Sequence, residues 1–307
     1  MRAPWLGIVL APALAATSAM AQPLDELERD DSLALSIAWR MQVANAAYCA
    51  RAAPSTGVQL EDTAAYDDPA TVRGTYGLSG DIYVGAIAQN GPGDAAGLSV
   101  NTTIAAIDGR PVATIPAPPA RAPFDRLIQI QAMLDDAAAR DGAVTLTTAE
   151  GQTVRINAVR ACHVVVRIDD DKNYARATRD EIRLGRKHFD AAHGNVDVLA
   201  AMIGHEMAHA VLDHQAQLAA SHGSVAVTRR TEREADRLSV WLMANAGYRP
   251  EGAIEFQRTI IAASAGFLTV DPTHGSWRER ARVIATEIAV LKSAPDADWA
   301  HRFQREP

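Results

Sequence analysis

The chain has 307 residues, 48% hydrophobic and 22% charged, an ordinary globular balance that leaves room for one large domain or two. A net charge of -7 without long basic runs argues against a nucleic-acid partner and against a polybasic membrane-surface patch. Protein or peptide substrates fit that charge better.

Residues 1–21 pair Arg2 with an apolar stretch from Trp5 to Ala16 and end in Ala19-Met20-Ala21, the small-x-small pattern of a signal-peptidase site. The expectation is a cleaved signal peptide and an exported protein, periplasmic or secreted. The alternative is a membrane anchor, but the stretch is shorter than the ~20 residues a spanning helix needs, and Pro12 interrupts it. No later segment reads as membrane-spanning. From Ser32 to about Ala50, Leu33, Ile37, Met41, Ala44 and Tyr48 recur at helical spacing, which predicts a packing helix. Pro, Gly, Asp and Thr between Pro54 and Arg73 mark a connecting segment, so residues 22–73 read as an N-terminal helix and linker.

Cys49 and Cys162 are the only cysteines. In an oxidising compartment they are expected to join, the alternative being two buried free thiols. Closing so long a loop contributes on the order of 4 to 5 kcal/mol in the chain-entropy model.

Residues 74–160 read as a small β-rich domain with one helix. A strand is expected at Ile82 to Ile87, then a turn and short helix across residues 90–98, a strand-turn-strand around Asp108-Gly109, a helix from about Pro123 to Ala139, and a hairpin across Glu150-Gly151. This order, with the stretches Gly93-Asp94-Ala95-Ala96-Gly97-Leu98 and Ile107-Asp108-Gly109-Arg110-Pro111-Val112, resembles a bacterial PDZ domain. The resemblance implies that Tyr76, Gly77, Leu78, Ser79 and Gly80 form a carboxylate-binding loop. It also implies that an extended peptide adds between strand 82–87 and helix 123–139. A β domain without an open groove is the alternative.

Residues 161–307 change to a short strand, Val164 to Ile168, and then mostly helices, near 195–218, 231–246 and 276–291. The fold class expected is therefore α+β, a β-rich domain followed by a mostly helical one. Thr231-x-x-Glu234 and Ser276-x-x-Glu279 have the form of capping boxes, although the first of these helices can start earlier.

His205-Glu206-Met207-Ala208-His209 carries the chemistry. On a helix the two histidines share one face, so both imidazoles can ligate one Zn2+, while Glu206, about 100° round, reaches a water on the metal as general base. The positions three and six residues after His209 hold Leu212 and Gln215, not the Gly and His that a metzincin needs, and His214 is out of register. Glu232 is the better third ligand, with Asp236 one turn on to accept a ring N–H from a liganding histidine. Glu234 points away and reads as a cap or surface residue, and His188 and His222 read as surface residues without a role.

At these residues the chain resembles the gluzincin family that includes the CAAX prenyl endopeptidases and the HtpX- and BepA-type proteases. The matching pieces are His205-Glu206-x-x-His209, Glu232-x-Glu234-Ala235-Asp236, Ala246-Gly247-Tyr248-x-Pro250, and Asp271-Pro272-Thr273-His274-Gly275-Ser276 followed by Arg280. The resemblance implies one Zn2+ per chain, peptide-bond hydrolysis in misfolded or envelope proteins, His274 near the metal as an oxyanion stabiliser or extra ligand, and Arg280 as a supporting residue. The rival expectation is a PDZ-type peptide-binding or chaperone-like module with a latent metal site.

Overall fold

The computed structural model describes residues 24–119, 121–169, 176–178, 180–264, 274–293 and 299–306. The expected signal peptide and Asp271-Pro272-Thr273 lie outside the described residues. The architecture is α+β, with small sheets up to Gly185 and a helical C-terminal part. No helix among the described residues is long and apolar enough to cross a membrane.

Helix α1 (Leu24–Ala44) starts earlier and stops earlier than its periodicity predicts. It ends where the wholly buried Asn45 turns its side-chain amide to the carbonyls of Met41 and Leu242. The helix is apolar on two faces. Leu35 and Trp39 pack with Ala86, Ala88 and Ala161 of the β-rich half, while Ala34, Ile37, Ala38 and Met41 enter the core of the helical half. One helix therefore packs on both halves, through a small cluster on the β-rich side and the main core on the other, and the disulfide fixes its exit. Cys49 and Cys162 are bonded, with Cα atoms 5.6 Å apart.

The segment expected to be a linker is structured. Strand β1 (Ala52–Ser55) pairs antiparallel with β8 (Val159–Cys162), and β2 (Val58–Asp62) pairs antiparallel with β3 (Ile82–Ile87). Helix α2 (Pro69–Tyr76) lies between β2 and β3 in sequence. Strands β1 and β2 thus pair with strands that lie beyond residue 74. Pro54 lies within β1, opposite Arg160, and Gly57 makes the bend that leads into β2. Gly57 has φ +65, and a Cβ there would lie 3.2 Å from that of Ala88.

After the short α3 (Pro92–Ala95), strands β4 (Ile104–Ile107), β5 (Arg110–Pro111), β6 (Ala143–Thr148) and β7 (Thr153–Asn157) form an antiparallel sheet in the order β5-β4-β6-β7. Asp108 and Gly109 both have positive φ, 46° and 73°, the conformation that a two-residue type I′ hairpin requires. Helix α4 (Asp125–Asp141) covers this unit with Leu127, Ile130, Leu134 and Ala138, at helical spacing and nearly inaccessible. Arg126 from the same helix grips the buried carboxylate of Asp62 at 2.6 and 2.5 Å.

In the second half, β9 (Val165–Asp169) pairs parallel with β11 (Glu181–Gly185), which also pairs antiparallel with β10 (Arg176–Ala177). Helices α5 (Arg186–Ala191), α6 (Val196–Val211), α7 (His214–Ala220) and α8 (Val225–Asn245) follow. Next come α9 (Glu251–Phe256), a π-helical stretch Gln257–Ile261, α10 (Ala262–Ser264), α11 (Trp277–Ser293) and α12 (Trp299–Arg302). Helix α8 packs on both α6 and α11. Between them Leu199, Ile203, Leu238, Leu242 and Ile284 are buried, and the indole of the wholly buried Trp241 donates to Glu287 at 2.7 Å.

Two helix boundaries differ from expectation. The helix carrying the metal motif stops at Val211 rather than near 218, because Asp213 adopts φ 51 and redirects the chain into α7. Helix α8 begins at Val225, so Thr231 is interior, with its hydroxyl on the Thr228 carbonyl, and does not cap. Ser276 does cap: its Oγ accepts the Glu279 N–H at 3.2 Å.

Candidate metal centre

Helix α6 is capped by Asn195, whose side chain accepts the N–H groups of Asp197 and Val198, and it is apolar on nearly every face from Val198 to Ala210. It must therefore run through the core, and it carries His205, Glu206 and His209 inward. Helix α8, packed along it, brings Glu232 and Asp236 to the same place.

The ligand atoms converge. His205 Nε2 and His209 Nε2 are 3.2 Å apart, and the Glu232 carboxylate lies 3.3 Å from the first and 3.4 Å from the second. Oε2 of Glu232 makes the first of these approaches and Oε1 the second, and one atom from each residue can be chosen with all three within 4.8 Å of one another. Among the described residues, His205, His209 and Glu232 are the one group so placed, and they could hold a metal ion. Two imidazoles and one carboxylate suit a borderline divalent ion and leave a fourth position open.

The atoms behind the ligands are also fixed. His205 Nδ1 faces Asp236 Oδ1 at 3.2 Å. Arg280, 5% exposed, holds both oxygens of Asp236 at 2.7 Å and lies 3.3 Å from Glu232. On the other side His209 Nδ1 faces His214 Nδ1 at 2.9 Å, and His214 Nε2 faces Glu234 at 3.0 Å.

The electrostatics are those of a cation site. Burial alone would raise the pKa of Glu232, but its bonds to His205 and His209 outweigh that and hold it ionised well below the usual carboxylate range. Burial opposes charge on His205 too, yet Asp236 and Glu232 carry its pKa up to about 10. The carboxylates thus draw a proton onto the ring wherever no metal ion stands. Glu206 differs: burial pushes its pKa above the ordinary value, against the pull of His205 and His209. That leaves a carboxylate whose basicity is higher than that of an exposed glutamate.

Other expected residues fall as follows. His274 lies at the rim, with its side chain 48% exposed and Nε2 3.8 Å from Glu232. Glu234, expected on the surface, is 1% exposed, and His214 likewise. His188 is buried as well, while His222 is exposed in a turn with φ 52. The position of His214 was missed because the helix break after Val211 carries no Gly or Pro; an unbroken helix would turn His214 away from His209.

The residues expected to line a peptide groove are placed as follows. Tyr76 and Gly77 end α2, and the N–H groups of Gly77 and Leu78 go to the Arg73 carbonyl. Ser79 donates to the Thr103 hydroxyl at 3.2 Å, so the loop spends these donors on its own fold. The chain continues through Gly80 toward β3, whose edges carry β2 on one side and residues 101–103 on the other. Helix α4 lies beside β1 and β2, where Gln131 accepts the Leu60 N–H at 3.0 Å.

No protein-family model matches the chain, and no curated protein matches it.

Proposed function

We propose that this chain is a zinc-dependent endopeptidase of the gluzincin type, exported and acting on unfolded or envelope proteins. The observation that carries the reading is the convergence of ligand atoms of His205, His209 and Glu232 within 4.8 Å of one another, with the buried carboxylate of Glu206 one residue along the same helix. When bound, zinc supplies Lewis acidity for a scissile carbonyl and for water, and these three side chains would hold it.

Glu206 then takes a proton from water as the water oxygen bonds to the carbonyl carbon, and returns it to the amide nitrogen as the C–N bond breaks. A pKa raised by burial suits a group that must both accept and donate near neutrality. Asp236 holds the His205 ring through Nδ1, and Arg280 holds Asp236 and offsets the buried negative charge. His274, at the open rim, is the residue nearest to hand for a developing oxyanion. Export is supported by the leader-like residues 1–21 and the disulfide. A buried general base in the site favours the enzyme over a peptide-binding module, which has no use for one.

The test is digestion of unfolded casein by the zinc-loaded protein and by Glu206→Gln. The proposal expects cleavage by the wild type and loss of at least a hundredfold in the variant, with zinc retained. Equal cleavage by both would overturn the assigned base.

A further inference from the structure

The two histidine ligands are supported differently. His205 meets a carboxylate directly, whereas His209 meets a second imidazole, and that imidazole meets the carboxylate. Ligation through His209 Nε2 leaves one arrangement of the protons in this second chain. His209 points Nε2 at the other ligand atoms, so as a neutral ligand it carries its proton on Nδ1. That proton faces His214 Nδ1 at 2.9 Å, which must therefore present a lone pair. His214 then carries its own proton on Nε2 and donates it to Glu234 Oε2 at 3.0 Å.

Glu234 is nearly inaccessible, so its charge needs partners. They come from the C-terminal segment: Arg305 bonds Oε2 at 3.2 and 3.1 Å, and the Glu306 N–H bonds Oε1 at 2.8 Å. The same segment is itself tied to α8, Arg233 to Glu306 and Arg237 to the Gln304 carbonyl. Glu234 thus stands between a strap on the outside and an imidazole on the inside.

We infer that His214 is a positioning residue that sets the tautomer and ring orientation of metal ligand His209, with Glu234 and the Arg305–Glu306 strap holding His214 in turn. The inference rests on the metal-site reading above. A partner in this position commonly changes metal affinity by about 10- to 100-fold when removed.

Zinc affinity of the full chain, measured by competition with a chelator of known strength, tests it, together with the ligand-field spectrum of the cobalt-loaded protein. His214→Ala should weaken zinc binding 10- to 100-fold and shift the cobalt bands. His214→Gln, which offers an acceptor to His209 and a donor to Glu234, should recover most of both. If His214→Ala does not fold, Glu234→Gln carries the test and should weaken zinc binding several-fold. Wild-type affinity and spectrum in these variants would overturn the relay while leaving the metal site standing. Absence of zinc binding by the wild type would overturn both.

Discussion

Arg280→Met is the perturbation whose size the structure specifies best. The methionine keeps much of the volume and removes two hydrogen bonds of 2.7 Å to Asp236, the 3.3 Å approach to Glu232 and the 3.4 Å contacts to the His205 ring. Both carboxylates are buried, at 1% and 7% exposure, so solvent cannot replace the guanidinium. Breaking a buried pair on one side costs about 3–5 kcal/mol, which in a protein of this size lowers Tm by several degrees at least. The sign with pH follows from Asp236. Burial opposes its ionisation, but Arg280 outweighs that and depresses its pKa in the folded state. Its contribution is therefore present above the unfolded value of about 3.9 and is lost as pH falls through the folded one. Without Arg280 only His205 is left to oppose the burial cost, so the folded pKa rises, and protonation relieves the variant as pH falls. Urea denaturation in EDTA, followed by the fluorescence of buried Trp241, should show a deficit of about 3–5 kcal/mol at pH 7.5 that shrinks by pH 4.5. Saturating zinc should also shrink it, because the ion faces the same carboxylates. A deficit below about 1 kcal/mol at pH 7.5, or one that grows on acidification, would refute the reasoning.

Reduction of the Cys49–Cys162 bond, whose partners are 113 positions apart, should lower stability by on the order of 4 kcal/mol in the chain-entropy model, read as a fall in the urea midpoint of the exported protein. Leu134→Ala in the core of the β-rich unit should cost about 2–5 kcal/mol, while Phe124→Ala, 53% exposed, should change the midpoint little; equal effects would contradict the packing described. Asp81 has its pKa lowered because its bonds from Thr63 and Arg126 outweigh burial, so its stabilisation is complete above about pH 4 and lost below. Asp81→Asn should therefore flatten the acid limb of the stability profile, and an unchanged limb would show that the aspartate is not coupled to folding.

The parts of the site legible in the sequence are those set by local periodicity. His205 and His209 at i, i+4 and Glu232 and Asp236 at i, i+4 each occupy one helix face, and packing α6 on α8 suffices to bring the four together. The Asp108-Gly109 hairpin was legible for the same reason, since the turn chemistry is contained in two residues. Features that depend on distant partners were not. Val58 to Asp62 is a strand only because β3 pairs with it, and its bend at Gly57 reads as a linker. The break at Asp213 has no residue that demands positive φ, so nothing local announces that α7 returns His214 to His209. Glu234 looked like a surface residue because its partners, Arg305 and Glu306, come from the far end of the chain.

Metal content by native mass spectrometry, for the wild type and for Glu232→Ala after equal exposure to zinc, tests the central claim most directly. The account predicts one ion per wild-type chain and none in the variant under the same chelator wash. An ion retained by both would mean that His205, His209 and Glu232 are not the ligand set, and no ion in the wild type would contradict the metal centre itself.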